Sequence, residues 1–79
     1  MENVRYYLRN LREKSNATQK ELAHVLGIDQ GTYSLYETGK IQRLDLGFLK
    51  IIADYFKFPI NALIEKECQY RFGTITKQP

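Results

Sequence analysis

Apolar positions along the chain recur mostly three and four residues apart, the spacing of one face of a helix. Val4, Tyr7, Leu8 and Leu11 make the first such stripe, with Arg5, Arg9, Arg12 and Lys14 on the other faces. Ser15 and Asn16 break it. Leu22, Ala23, Val25 and Leu26 make a second stripe. Thr18 and Glu21, three apart before that stripe, predict a capping box in which each side chain bonds the other residue's backbone N–H. Gly27 predicts a left-handed helix ending. Ile28 plugs the turn. Asp29 is then expected to cap a third helix, its carboxylate within reach of a free N–H in the next turn. Tyr33 and Tyr36 face one way, and Gly39 ends the segment.

Leu46, Leu49, Ile52, Ala53 and Phe56 mark a fourth amphipathic helix, preceded by Leu44 and capped by Asp45. Pro59 disfavours helix at Phe58 and separates the fourth helix from the next segment. Asn61 is expected to cap a fifth helix over "ALIEKECQ", with Leu63 and Ile64 buried. Residues 70–77, "YRFGTITK", alternate apolar or β-branched positions with others, a strand signal. Such a strand would pair with its copy in a second subunit; a loosely ordered tail is the other reading, and both stand. The pattern therefore predicts an all-α domain of five helices over residues 1–67. A tail over 68–79 would be a dimer or partner contact. Two short helices about a glycine-containing turn, at about 18–38, form a helix-turn-helix pattern.

Composition narrows the function without deciding it. At 79 residues there is room for one domain, which buries roughly 60% of its unfolded surface. The formal net charge is +3 and the pI about 9.1, a mild basicity that suits nucleic acid without requiring it. Cys68 is the single cysteine, so no internal disulfide can form, and it is expected to be a small buried or half-buried residue. His24 is the single histidine and is expected on an outer face. One His and one Cys do not make a usual zinc site. No Ser/Cys–His arrangement, carboxylate pair or phosphate loop is visible, so an enzyme is not expected, nor is a cofactor. No apolar run approaches the roughly 20 residues of a membrane span, and the N-terminus lacks a signal sequence. A cytoplasmic protein with no membrane partner is expected.

Residues 8–63 resemble the phage repressor/Cro-like helix-turn-helix domains, the xenobiotic-response-element family of bacterial regulators. The resemblance rests on "LRNLREKSNATQKELAHVLGIDQGTYSLYETGK" and on "LDLGFLKIIADYFKFPINAL". Leu22, Ala23, Leu26, Gly27, Ile28, Tyr33 and Tyr36 fill the family's apolar and small positions. Ala23 must be small where the second and third helices cross, and Gly27 must adopt a backbone angle that other residues resist. The resemblance implies a five-helix lambda-repressor-like fold, a homodimer, and double-stranded DNA as partner, with a two-fold symmetric operator. It also implies a structural ion pair between Arg12 and Glu37.

The same resemblance sorts the site residues. Gln19, at the start of the second helix, is implied as a phosphate anchor beside free N–H groups. Thr38, Lys40 and Arg43, just after the third helix, are implied as further phosphate contacts. Gln30, Gly31, Thr32, Ser34 and Leu35 are implied as the base-reading set. Gln30 can pair with adenine, Gly31 lets the backbones approach, and Thr32 and Ser34 can bond a base or phosphate. Leu35 departs from the family, which commonly has Arg, Lys or Gln there; it can only pack on a thymine methyl. The leading expectation is a sequence-specific regulator, a dimeric repressor that reads the major groove with residues 29–38. The alternative is a protein-binding module of the same fold, an antitoxin or antirepressor component. In that reading Leu35 beside Ile41 is an apolar contact patch for a protein partner.

Overall fold

The computed structural model describes residues 4–73. Five helices follow in order: α1 Tyr6–Lys14, α2 Gln19–Leu26, α3 Gln30–Thr38, α4 Leu46–Phe56 and α5 Ile60–Phe72. Their ends are set by local chemistry. Thr18 and Glu21 form the expected capping box at α2, with Thr18 Oγ1 accepting from the Glu21 N–H at 3.0 Å and Glu21 Oε1 accepting from the Thr18 N–H at 2.8 Å. Gly27 ends α2 at φ +75°, which lets the Ile28 N–H reach back to the Ala23 carbonyl at 2.9 Å. Gly39 ends α3 at φ +89°. Asp45 caps α4 by accepting from the Gly47 N–H at 3.1 Å.

Each helix turns its apolar stripe to a shared core. Leu8 of α1, Leu22, Ala23 and Leu26 of α2, and Tyr33 of α3 are buried together. Leu44, then Leu49, Ile52 and Ala53 of α4 and Leu63 of α5, close the other side. Ala23 is 2% exposed, so a larger side chain there would have to push neighbouring helices apart. Tyr36 meets Phe48 edge to face, ring centroids 5.5 Å apart, and ties the rear of α3 to α4.

Several expectations are corrected. Asp29 occupies the N-cap position of α3 without making a side-chain capping bond. Asn61 does not cap α5: Pro59 holds that position, and Asn61 lies inside the helix. Leu46, expected on the buried stripe, is 60% exposed because it sits in the first turn of α4, outside the core. Cys68 is exposed, while His24 is exposed as expected. The expected strand is helix where it is described: Tyr70, Arg71 and Phe72 continue α5, which ends at Gly73, φ +79°. The remainder of that segment, 74–77, lies outside the described residues. α5 thus runs unbroken across the boundary drawn at 67/68.

The largest departure is Arg5. The spacing predicts an outer face for it; it is fully buried. Its guanidinium forms a two-pronged pair with Glu67 of α5, Nε to Oε1 at 2.9 Å and Nη2 to Oε2 at 3.0 Å. The Tyr7 hydroxyl donates to the same carboxylate. Burial, with the Glu67 carboxylate beside it, pushes the Tyr7 phenol far above its ordinary pKa. Tyr70 covers the guanidinium, its ring centroid 4.3 Å from Cζ.

Candidate nucleic-acid interface

α3 has a locked rear and an open front. On the rear, Tyr33 and Glu37 are fully buried. Glu37 is the hub. Arg12 donates to it through Nε at 2.8 Å and Nη2 at 3.2 Å, Tyr33 through its hydroxyl at 2.9 Å, and Gln19 through Nε2 at 2.8 Å. Burial opposes the charge on Glu37, but hydrogen bonds from Arg12, Gln19 and Tyr33 outweigh it and hold the carboxyl below its usual range. The same burial and charge push the Tyr33 phenol far up. Arg12 also donates to the Ala17 carbonyl at 2.9 Å. The group of Arg12, Gln19 and Glu37 therefore fixes α1, α2 and α3 at one point.

On the front, Gln30, Gly31 and Leu35 are exposed, and Thr32 and Ser34 are half-buried. Leu35 is 39% exposed. Its carbonyl accepts from the Ile41 N–H at 3.0 Å, so these two residues are neighbours through the backbone; Ile41 itself is half-buried. A Cβ added at Gly31 would meet only the Asp29 carboxylate, at 3.5 Å, an ordinary contact. Nothing in the free protein therefore demands glycine there. The Thr32 hydroxyl beside it holds the Asp29 carboxyl below its ordinary range.

The residues expected at phosphates fall into two kinds. Lys40 and Arg43 are exposed, and neither has an ion-pair partner among the described residues. Gln19 and Thr38 are already engaged. Thr38 donates its hydroxyl to the Ser34 carbonyl at 2.8 Å, and one proton of the Gln19 amide is on Glu37. Gln19 keeps its second amide proton. The capping box uses the N–H groups of Thr18 and Glu21, which leaves those of Gln19 and Lys20 at the positive end of α2. Lys20, which carries no motif signal of its own in the sequence, is exposed there.

A family model described as helix-turn-helix matches residues 8–63. The chain belongs to the XRE-type helix-turn-helix family. Comparison with curated proteins and with solved structures finds no match. As a DNA-binding helix-turn-helix domain, the chain has α2 and α3 as its motif, and α3 is the helix that such domains place in the major groove. The charge of that helix is simpler than the sequence implies. With Glu37 buried and paired, the surface from 29 to 43 carries Asp29 against Lys40 and Arg43, a small positive balance. Among the described residues no helix is long and apolar enough to cross a membrane, and no group of three or more His, Cys, Asp or Glu is placed to hold a metal.

Proposed function

We propose that this protein is a sequence-specific transcriptional regulator that binds a two-fold symmetric operator as a homodimer and represses by occupying it. The supporting observation is the division of α3. Its rear is immobilised by Tyr33 and Glu37, while its front offers Gln30, Thr32 and Ser34 with no bulky charge in the way. A reading helix must be held rigidly and must present short polar groups to base edges. Gln30 reads a base, Thr32 and Ser34 bond a base or phosphate, and Leu35 packs on a thymine methyl. Gln19, Lys40 and Arg43 hold the backbone, and these contacts fix register. Thr38 reaches a phosphate only if its hydroxyl leaves Ser34. Residues 68–79 are a dimer or partner contact in this reading. Location in the cytoplasm follows from the same role.

The exposure of Leu35 favours one second reading, an apolar contact with a protein partner, as in an antitoxin or antirepressor component. A randomised duplex library incubated with the purified chain at moderate salt separates the two. Enrichment of a symmetric motif is expected, with a thymine in each half-site. No enrichment from folded protein sinks the operator reading and leaves the protein-binding one.

A further inference from the structure

Arg5 is a residue that neither the family match nor the ion pair at Glu37 accounts for. A guanidinium carries five N–H donors in a fixed planar fork. All five are used here, and all inside the protein. Nε and one proton of Nη2 go to Glu67. The remaining three go to backbone carbonyls: Nη1 to Tyr36 and Ile41, and Nη2 to Gln42. The Arg5 backbone N–H adds a bond to the Glu37 carbonyl at 2.8 Å. Tyr36 and Glu37 belong to the last turn of α3, where carbonyls run out of helical partners. Ile41 and Gln42 lie in the connection to α4, and neither carbonyl receives a backbone N–H among the described residues. Without the Arg5 side chain the Ile41 and Gln42 carbonyls would have to turn to water, whereas the Tyr36 carbonyl would keep the Gly39 N–H at 3.3 Å.

That connection is also where Lys40 and Arg43 stand. Drawing the Ile41 and Gln42 carbonyls inward fixes the path of the chain between the two cations, whose side chains are exposed. Glu67 fixes Arg5 in turn, and Tyr70 covers its face. We infer that Arg5 is a positioning residue for DNA binding: held by Glu67 of α5, it sets the segment 40–43 so that Lys40 and Arg43 meet phosphates together. The inference rests on the DNA-binding reading of that segment. It makes α5 part of the interface machinery without touching DNA. It also requires arginine, because a lysine ammonium offers three donors from one nitrogen and cannot span two carboxylate oxygens and three carbonyls.

The test uses the full chain and two variants. Arg5→Lys keeps the charge and loses the fork. The double variant Arg5→Met/Glu67→Met replaces the buried pair with apolar volume, so that neither charge is left unpaired. Both are checked for cooperative melting. Amide exchange at residues 40–44 reads the position of the segment without DNA. The salt dependence of binding to a random-sequence duplex reads the consequence. In each folded variant the Ile41 amide is expected to exchange at least about tenfold faster, with α2 amides unchanged. The log–log salt slope is expected to fall by about 2 per bound chain, the share of Lys40 and Arg43. Ile52→Val, a core control in α4, is expected to lower the melting temperature and leave both readouts alone. Parental exchange at 40–44 in a folded variant overturns the inference. Faster exchange with a parental slope also overturns it, because Arg5 would then be structural only. A parent chain with no salt-dependent duplex binding fails on the DNA reading itself and removes the inference with it.

Discussion

Glu37 shows how one buried carboxylate is made tolerable and what it then costs to disturb. It is fully buried, accepts from Arg12, Gln19 and Tyr33, and has Arg9 at 3.8 Å as a second cation. Removing Arg12 as Arg12→Met leaves that charge short of its main partner, and a loss of about 3 kcal/mol is expected in denaturant unfolding. The pH dependence follows from the depressed carboxyl. Its contribution is present above the ordinary glutamate value of 4.5 and is lost as pH falls through the lower folded value. Glu37→Gln should therefore be less stable than the parent near neutrality, with the gap closing below about pH 4. A gap that stays constant down to pH 3 would mean the charge contributes nothing. Arg12 and Glu37 were legible in the sequence through the family resemblance. Arg5 and Glu67 were not, because a binary pattern counts every charge as outward. For Glu67 the spacing carried a signal, since it lies three and four residues after Ile64 and Leu63 on an apolar stripe of α5, whereas Arg5 precedes the first residue of α1 and helical spacing does not place it. At the interface, the division of roles is testable by single residues. Lys40→Ala should weaken binding to all duplexes alike, and Gln30→Ala should relax one base position by about 1–3 kcal/mol. A change of preferred sequence in Lys40→Ala would mean that the two roles are misassigned.

At the scale of the helices, the caps and glycines made α2, α3 and α4 readable in advance, since Thr18, Gly27, Gly39 and Asp45 each carry a specific terminal geometry. α5 departs from the sequence pattern at both ends for physical reasons. Its first residue comes after a proline, which supplies no side-chain cap to recognise, and its last turn reads as alternation when taken without the preceding residues. Tyr70 and Arg71 belong to the helix as the third and fourth residues after Glu67, so Tyr70 falls over the Arg5 guanidinium. α3 carries the prediction for this scale. Gly31 is the second residue of α3, where glycine leaves the backbone freer than alanine would, and its missing side chain has ordinary space around it. Gly31→Ala should raise the melting temperature of the free protein and weaken duplex binding, because the added methyl stands where DNA approaches. A rise in stability with unchanged affinity would place the DNA away from Gly31.

For the molecule as a whole, net charge is small, and its location matters more than its sum. The chain carries a net +3, but Arg5 and Arg12 are held by internal carboxylates and take no part in the surface field. Lys20 at the start of α2 and Lys40 and Arg43 after α3 are the exposed lysines and arginines between residues 18 and 43, three per chain. Each phosphate neutralised on duplex DNA contributes about −0.9 to the log–log dependence of affinity on salt. One bound chain should therefore give a slope of about −3, and two chains on one operator about −5. Measuring the slope on the selected operator alongside the number of chains bound separates three cases. Two chains with a slope near −5 match an interface made by these cations in both copies. One chain with a slope near −3 keeps the interface and removes the homodimer. Two chains with a slope near −3 would mean that the second copy is held by its partner alone, with its own α3 off the DNA. The distinction is sharp because residues 18–43 hold no lysine or arginine besides these three.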